Sequence, residues 1–381
     1  MKLGIFMYSL SGGGAERQFI YIVSYCIKHD IDVCFILMNS TIKYDLPEDV
    51  KIYYLEKSNF NESGILKAAK IPLLAYKYSR LIKKLKVTHS ISLLSRPNFI
   101  NIIARTFTNY RFKLIINELA YPSLEYSYKN FQSTFNKLMI RFFFKKADLI
   151  ICNSNGNQMD LINNFKVPAN KTAVVNNPID LDKIHNIAAI KGFFLKNHFN
   201  MITIGRLDRG KNHSLLINAL SKLNNPKLKL YIFGEGVLRD ELEALIDKLK
   251  LQNQVFLMGF DSNPFKYLKG ADLFVFGSNH EGFPNVVLEA MASGLPILTT
   301  NCKSGPSEIM NLVEKKEDLM ITDYGILVPV MNVELMSKGM SYFIENINYL
   351  NTSKINVLER VKIYEKDRIL EKYIQTIKSV N

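Results

Sequence analysis

Residues 279–294, Asn-His-Glu-Gly-Phe-Pro-Asn-Val-Val-Leu-Glu-Ala-Met-Ala-Ser-Gly, constrain the fold more than any other part of the chain. The apolar run 273–276 before them reads as a strand. Pro284 suits a first helical position and Gly294 a helix C-terminus. The order is therefore strand, loop, helix. Glu281 falls in the loop and Glu289 more than one turn inside the helix, so both carboxylates can face a ligand held over the helix start. Between them, the amides near Asn285 and Val286 lack intrahelical acceptors and suit a phosphate. The plainer reading is a solvated loop carboxylate and an ordinary helical glutamate, and the rest of the chain decides between the two.

A chain of 381 residues, 48% of them hydrophobic, can build two cores. Cys26, Cys34, Cys152 and Cys302 are scattered with no CxxC pair, so they suggest neither a zinc site nor a disulfide framework, and a reducing compartment fits. The opening residues 1–10 have the outline of a short signal peptide, but they run into a glycine loop and helix that a fold needs. No run approaches the ~18 apolar residues of a membrane-spanning helix. Charge is uneven: residues 1–180 hold 24 Lys and Arg against 13 Asp and Glu, a net +11, whereas 181–381 hold 25 against 22. The first half therefore faces something anionic. No nucleic-acid recognition motif is present, and an anionic membrane surface is the better partner.

The chain opens with a strand at 2–8, the loop Ser9-Leu10-Ser11-Gly12-Gly13-Gly14, and a helix from about 15 to 28. Those glycines let backbone approach a phosphate. The dinucleotide fingerprint fails, because Arg17 stands where its third glycine belongs and the next strand ends at Asn39 rather than an acid. That departure argues against a nicotinamide cofactor. Further strands at 89–94, 113–117 and 148–152 alternate with helical stretches, the rhythm of a parallel α/β sheet. A second such series reads at 201–204, 229–233, 255–258, 273–276, 296–299 and 325–328. Its first strand runs into Gly205-Arg206-Leu207-Asp208-Arg209-Gly210-Lys211-Asn212, where Arg206 and Lys211 can close on one diphosphate.

Two helices have a basic side. In 65–86, Lys77, Arg80 and Lys84 oppose Leu74, Tyr78, Leu81, Ile82 and Leu85. In 135–146, Phe135, Leu138, Met139, Phe142 and Phe143 oppose Lys137, Arg141 and Lys145. For the second, a core helix with a solvated basic side and a membrane-contacting face are both open readings. Metal binding has little support. Asp30-Ile31-Asp32 and Asp180-Leu181-Asp182 have acid-pair spacing but fall in turns, where Asp serves as a cap, and the six histidines are scattered.

The words EGFPNVVLEAMASGLPILTT at 281–300 resemble, almost throughout, the motif of the large GT4 family of retaining glycosyltransferases. Arg206 and Lys211 match that family's Arg and Lys in position and spacing. Gly-Gly-Gly-Ala-Glu-Arg at 12–17 resembles its opening loop, and Asn177-Pro178-Ile179-Asp180 its interdomain hinge. The resemblance implies the GT-B architecture, an α/β fold of two Rossmann-like domains facing across a cleft. Residues 1–180, with a terminal helix about 364–381, would form the acceptor-side domain, and 181–363 the nucleotide-sugar domain.

It also implies roles. Glu281 would hold sugar hydroxyls and Glu289 the ribose of the donor. Arg206 and Lys211 would hold the leaving diphosphate, with Glu281 the third catalytic residue. Gly12, Gly13, Gly14, Gly205, Gly282, Phe283, Pro284 and Asn285 would line the donor site. Many members carry a His after the fourth strand of the first domain that contacts the transferred sugar; this chain has Asn117-Glu118 there, and both are substrate-binding candidates. No cofactor or metal is implied, the nucleotide sugar being a substrate.

The run Ser304-Gly305-Pro306-Ser307-Glu308-Ile309 looks like bacterial surface-polysaccharide members. Transfer of a hexose or N-acetylhexosamine from a UDP-sugar to a glycan or lipid-linked glycan is the expectation, in the cytoplasm at the inner face of the membrane. A nucleotide-sugar epimerase of the same fold and a non-catalytic donor-binding subunit are the alternatives.

Overall fold

The computed structural model describes residues 1–11, 13–56, 64–128 and 130–380. The chain divides into two compact units, Met1–Pro178 with Lys366–Asn381, and Ile179–Glu365. Each is built on a seven-stranded sheet with helices on both faces. In unit 1 the strands are β1 (Lys2–Met7), β2 (Asp32–Leu37), β3 (Lys51–Tyr54), β4 (His89–Leu93), β5 (Lys113–Glu118), β6 (Leu149–Cys152) and β7 (Thr172–Val174), in the order β3-β2-β1-β4-β5-β6-β7. Every pairing is parallel. Both faces are covered, by separate apolar clusters, which is why an interior strand such as Leu149–Cys152 can be an uninterrupted apolar run.

Unit 2 has β8 (Phe199–Ile204), β9 (Leu228–Phe233), β10 (Val255–Gly259), β11 (Leu273–Phe276), β12 (Ile297–Thr300), β13 (Met320–Thr322) and β14 (Gly325–Val328) in the order β10-β9-β8-β11-β12-β14-β13. Here the sequence expectation of parallel strands throughout is corrected at one edge. β13 and β14 form an antiparallel pair, Met320 opposite Leu327 and Thr322 opposite Gly325, joined by a turn too short for a crossover. The order of both sheets reverses after the first strand, between β1 and β4 and between β8 and β11. Such reversal points leave a crevice at the carboxyl ends of the strands.

The helix Lys366–Lys378 belongs to unit 1. It lays Ile369, Leu370, Tyr373, Ile374 and Ile377 into the cluster shared with Phe19, Ile22 and Val23 of the helix Gly14–Lys28. Tyr373 meets Phe19 edge to face and donates its hydroxyl hydrogen to Asn117 Oδ1 at 3.0 Å. That bond ties the end of the chain to β5.

The helix Phe131–Phe143 departs from its expected orientation. Ser133 and Ile140, with Phe144 beyond the helix, face the core, whereas Leu138 and Phe142 are about half exposed, on the same side as Arg141. The apolar residues 138 and 142 share a face at one-turn spacing, but that face is not the inward one. Lys145 Nζ lies 5.5 Å from the centroid of the Phe142 ring.

Tyr373→Phe should therefore lower the stability of unit 1 by about 1–3 kcal/mol, the cost of leaving buried Asn117 Oδ1 without its donor. Urea denaturation followed by tyrosine fluorescence measures it. An unchanged midpoint would mean the apolar contacts alone hold the helix.

Candidate functional site

The loops that leave β8 and β11 meet at the reversal point of unit 2. β8 and β11 pair in parallel, Leu273 beside Met201 and Phe274 beside Ile202, so residues 205–212 and 277–284 emerge side by side. Several bonds clamp them together. Asn279 N donates to the Gly210 carbonyl at 2.8 Å, Asn279 Nδ2 to the Arg209 carbonyl at 3.0 Å, and Asn212 Nδ2 to Asn279 Oδ1 at 3.0 Å. Across this clamp Lys211 Nζ lies 2.5 Å from Glu281 Oε1, and the same oxygen accepts from Ser278 Oγ at 2.7 Å. Lys211 also sits over the Phe276 ring, 5.3 Å from its centroid.

Arg206 is the counterpart on the outside. Its side chain is 82% exposed, held only at its tip by Asp208 Oδ2 at 3.2 Å, while Asp208 Oδ1 accepts from Lys211 N at 3.0 Å. One cation is partly desolvated and the other is exposed at the surface.

Sequence reasoning passed over the residue that shapes this loop. His213 is 2% exposed, and burial pushes its imidazole down to about 4, so it is neutral. Its Nε2, 3.2 Å from the Arg206 carbonyl, must then carry the hydrogen and donate it. A lone histidine in a sequence gives no such signal; its place two residues after Lys211 was the available clue. Close backbone approach explains the glycines nearby. A Cβ on Gly234, whose φ is +139°, would fall 2.0 Å from the Gly205 carbonyl oxygen. A Cβ on Gly205 would meet the Lys211 stem at 3.3 Å and His213 Nε2 at 3.6 Å.

The helix predicted after the loop spans Asn285–Ala292. Pro284 stands one place earlier than expected, as the cap residue rather than the first helical one, and Gly294 follows the helix with φ +79°. Gly282 offers its carbonyl to Ser304 Oγ at 2.7 Å. Phe283 is buried against Tyr364, ring centroids 5.4 Å apart. Asn285 begins the helix, and Glu289 lies on it, 4% exposed. Arg206, Lys211, Glu281 and Gly205 are thus gathered in two adjoining loops, with Asn285 and Glu289 on the helix that continues one of them.

In unit 1, Gly12 lies outside the described residues. Gly13 N donates to Glu16 Oε2 at 3.1 Å, and Tyr44 donates to the Gly13 carbonyl at 2.7 Å; Gly14 opens the helix. A carboxylate of the chain itself thus occupies the amide read as a phosphate contact. Asn117 also has a different use from the expected one. It is 2% exposed, and its side chain accepts from Tyr373 and donates to the Ser92 carbonyl at 3.2 Å. Glu118 is buried at the end of β5, with Oε1 accepting from Ala120 N at 3.2 Å. Burial, then the nearby Glu125, pushes its carboxyl up to about 8, so it is protonated at neutral pH and can donate a hydrogen bond.

Comparison with known proteins gives the family and the fold. Residues 189–357 match the model for glycosyl transferases group 1, and residues 12–183 that for glycosyltransferase family 4. The chain is 41% identical, over 97% of both sequences, to N-acetylgalactosamine-N,N'-diacetylbacillosaminyl-diphospho-undecaprenol 4-alpha-N-acetylgalactosaminyltransferase of Campylobacter jejuni. It is 30% identical, over 87% of its length and 88% of the relative's, to a glycosyltransferase of Methanocaldococcus jannaschii. Among solved structures, Anabaena Alr3699/HepE in complex with UDP superposes with a TM-score of 0.78 at 20% identity, covering all of both chains. Sucrose-phosphate synthase from Thermosynechococcus elongatus gives 0.83 at 14%, covering 100% of this chain and 99% of that one.

Two Rossmann-like units with this site define a glycosyltransferase of the GT-B fold. The chain belongs to glycosyltransferase family 4.

Glu118 gives a pH test. Its carboxyl titrates near 8 in the folded chain against an ordinary 4.5, so the stability it contributes is full below pH 4.5 and is lost as pH rises toward 8. Glu118→Gln, uncharged throughout, should flatten the fall of the urea midpoint between pH 5 and 8.5 and exceed the wild type at the upper end. Parallel curves for the two proteins would refute a buried, protonated Glu118.

Proposed function

We propose that this glycosyltransferase moves a hexose or N-acetylhexosamine, with retention, from a UDP-sugar to a hydroxyl of a lipid-linked glycan at a membrane surface. The observation that carries the reading is the pairing of Lys211 with Glu281 beside an exposed Arg206. In the free protein each member of the pair neutralises the other. A donor diphosphate drawn in by Arg206 competes for Lys211, and Glu281 is then released to accept hydrogen bonds from the sugar. As the bond from the anomeric carbon to the diphosphate breaks, positive charge develops on the sugar and negative charge on the leaving group. The two cations stabilise the second, and the departing phosphate takes the acceptor's proton on the same face. No protein nucleophile is required.

The names of the relatives support the substrate classes. That of the Campylobacter protein specifies a diphospho-undecaprenol acceptor, and Alr3699/HepE was solved with UDP. For the membrane surface, support comes from the exposed Leu138 and Phe142, with Arg141 exposed beside them and Lys145 over the Phe142 ring. Among the described residues no helix is long and apolar enough to cross a membrane. We further propose that the two cations do the neutralising that a divalent ion does elsewhere.

Transfer from UDP-sugars to a polyprenyl-diphosphate glycan, assayed with and without acceptor, tests the reading and separates it from epimerisation or silent binding. Arg206→Ala should lower turnover roughly 10²- to 10³-fold, the effect of losing one preorganised charge stabiliser, and EDTA should leave turnover intact. Activity abolished by EDTA and restored by manganese would overturn the metal-free mechanism.

The two glutamates should part company. Glu281→Gln should lower turnover with UDP affinity nearly unchanged, whereas Glu289→Gln should weaken UDP binding by about 1–3 kcal/mol. Calorimetry with each variant decides, and two variants indistinguishable from the wild type would remove both from the mechanism. Replacing Lys137, Arg141 and Lys145 by Glu should release the protein from anionic vesicles at low salt. Equal sedimentation of wild type and variant would remove this face from membrane binding.

A further inference from the structure

Unit 1 has its own reversal point, and there a buried guanidinium has no hydrogen-bond partner among the described residues. β1 and β4 pair in parallel, from Leu3 beside His89 to Phe6 beside Ser92, while the sheet continues in opposite directions from each. At the end of β4, Leu94 takes φ +70°, a conformation uncommon for a residue with a side chain, and the chain turns directly into the helix Ser95–Ala104. Arg96 is the second residue of that helix. Nε, Nη1 and Nη2 of its guanidinium are all shut off from solvent, and none has a hydrogen-bond partner among the described residues.

Ser95, next to it in the chain, and two acidic side chains of unit 1 have partners of their own. Ser95 Oγ pairs with the Tyr126 hydroxyl at 2.5 Å, and the carboxylate of Glu16 is taken by Gly13 N, Ser9 and Ser11. Asp160 accepts from Ser123 N at 2.8 Å, Ser123 Oγ at 2.6 Å and Asn164 at 2.6 Å. A guanidinium cannot shed its charge, and burying it unpaired is costly. Its planar fork of donors matches phosphate. The first turn of a ten-residue helix adds a favourable dipole for an anion.

We propose that Arg96 is a phosphate-binding residue, receiving the diphosphate of a substrate at the β1/β4 reversal point. The proposal deepens the function proposed above and rests on it for the identity of the diphosphate. That group belongs either to the nucleoside diphosphate of the donor or to the prenyl diphosphate of the acceptor, and the two are separable by experiment.

The first measurement needs no turnover. In an Arg206→Ala, Lys211→Ala background, which strips unit 2 of its two cations, inorganic pyrophosphate should still raise the melting temperature, and adding Arg96→Met should abolish that rise. Arg96→Met should itself melt no lower than its parent without ligand, because it removes an unpaired buried charge. The second measurement assigns the source. With Arg206 and Lys211 intact, Arg96→Met should weaken binding at least tenfold for UDP alone if the donor is the source, or for a short polyprenyl diphosphate alone if the acceptor is. Arg96→Lys should recover part of it.

The proposal is overturned if pyrophosphate has no effect in the Arg206→Ala, Lys211→Ala background, or if Arg96→Met melts lower with the pyrophosphate response intact, the signature of a structural arginine. A wild-type protein that transfers no sugar would sink the proposed function, yet these binding readouts would still decide the role of Arg96.

Discussion

The parallel pairing of β8 with β11 is the constraint on which the site depends. The two strands lie far apart in sequence, yet their register fixes which loop residues emerge next to each other at the carboxyl edge. Lys211 and Glu281 come from different βα loops and could be joined by no local preference. The sheet brings them together, and the bonds from Asn279 to Gly210 and Arg209 set their separation. This explains the tight glycines behind the loops. Gly234 passes so close to the Gly205 carbonyl that a side chain there would displace the loop that carries both cations.

The electrostatics of the two units differ in a way that bears on when each is occupied. In unit 2 the charges at the reversal point are balanced in the free protein, Lys211 by Glu281 and Arg206 by Asp208. Removing one partner of a partly desolvated pair strands the other, so the resting site is held in a definite geometry without ligand. A ligand must exchange one set of charged contacts for another rather than fill an empty electrostatic well. In unit 1 the Gly13 amide is likewise taken by Glu16, whereas the Arg96 guanidinium has no hydrogen-bond partner among the described residues. A charge without a partner costs stability until an anion arrives, which is the form that a trade between stability and function takes at binding sites.

Much of the fold was legible in the sequence because buried parallel strands are plain apolar runs. Leu273–Phe276 and Gly325–Val328 coincide with their sequence readings for that reason. What escaped lay at edges. β3, Lys51–Tyr54, is partly exposed along its length and has no apolar block, and β13 is three residues long and paired antiparallel. The helix Phe131–Phe143 misled because its apolar residues occupy more than one face, and periodicity cannot tell which of them a neighbouring helix covers. At the site, residue types announced Arg206, Lys211, Glu281 and Glu289, but not that Lys211 and Glu281 would pair. Nor did they show that His213 would be stripped of water to hold the Arg206 carbonyl. The first joins groups 70 residues apart in sequence, and the second depends on burial that only the folded unit supplies.

Asn117 shows the converse limit. Its position at the end of β5, beside Glu118, suits a ligand contact, and the sequence offers no reason to separate the two. The structure separates them by direction. Successive residues of a strand point to opposite faces, so when Asn117 turns to the face covered by the helix Lys366–Lys378, Glu118 must turn to the other. The terminal helix thus does more than cover a sheet. By taking Asn117 Oδ1 through Tyr373, it fixes the orientation of the last turn of β5 and leaves Glu118, buried and protonated, as the group at that strand end able to give a hydrogen bond.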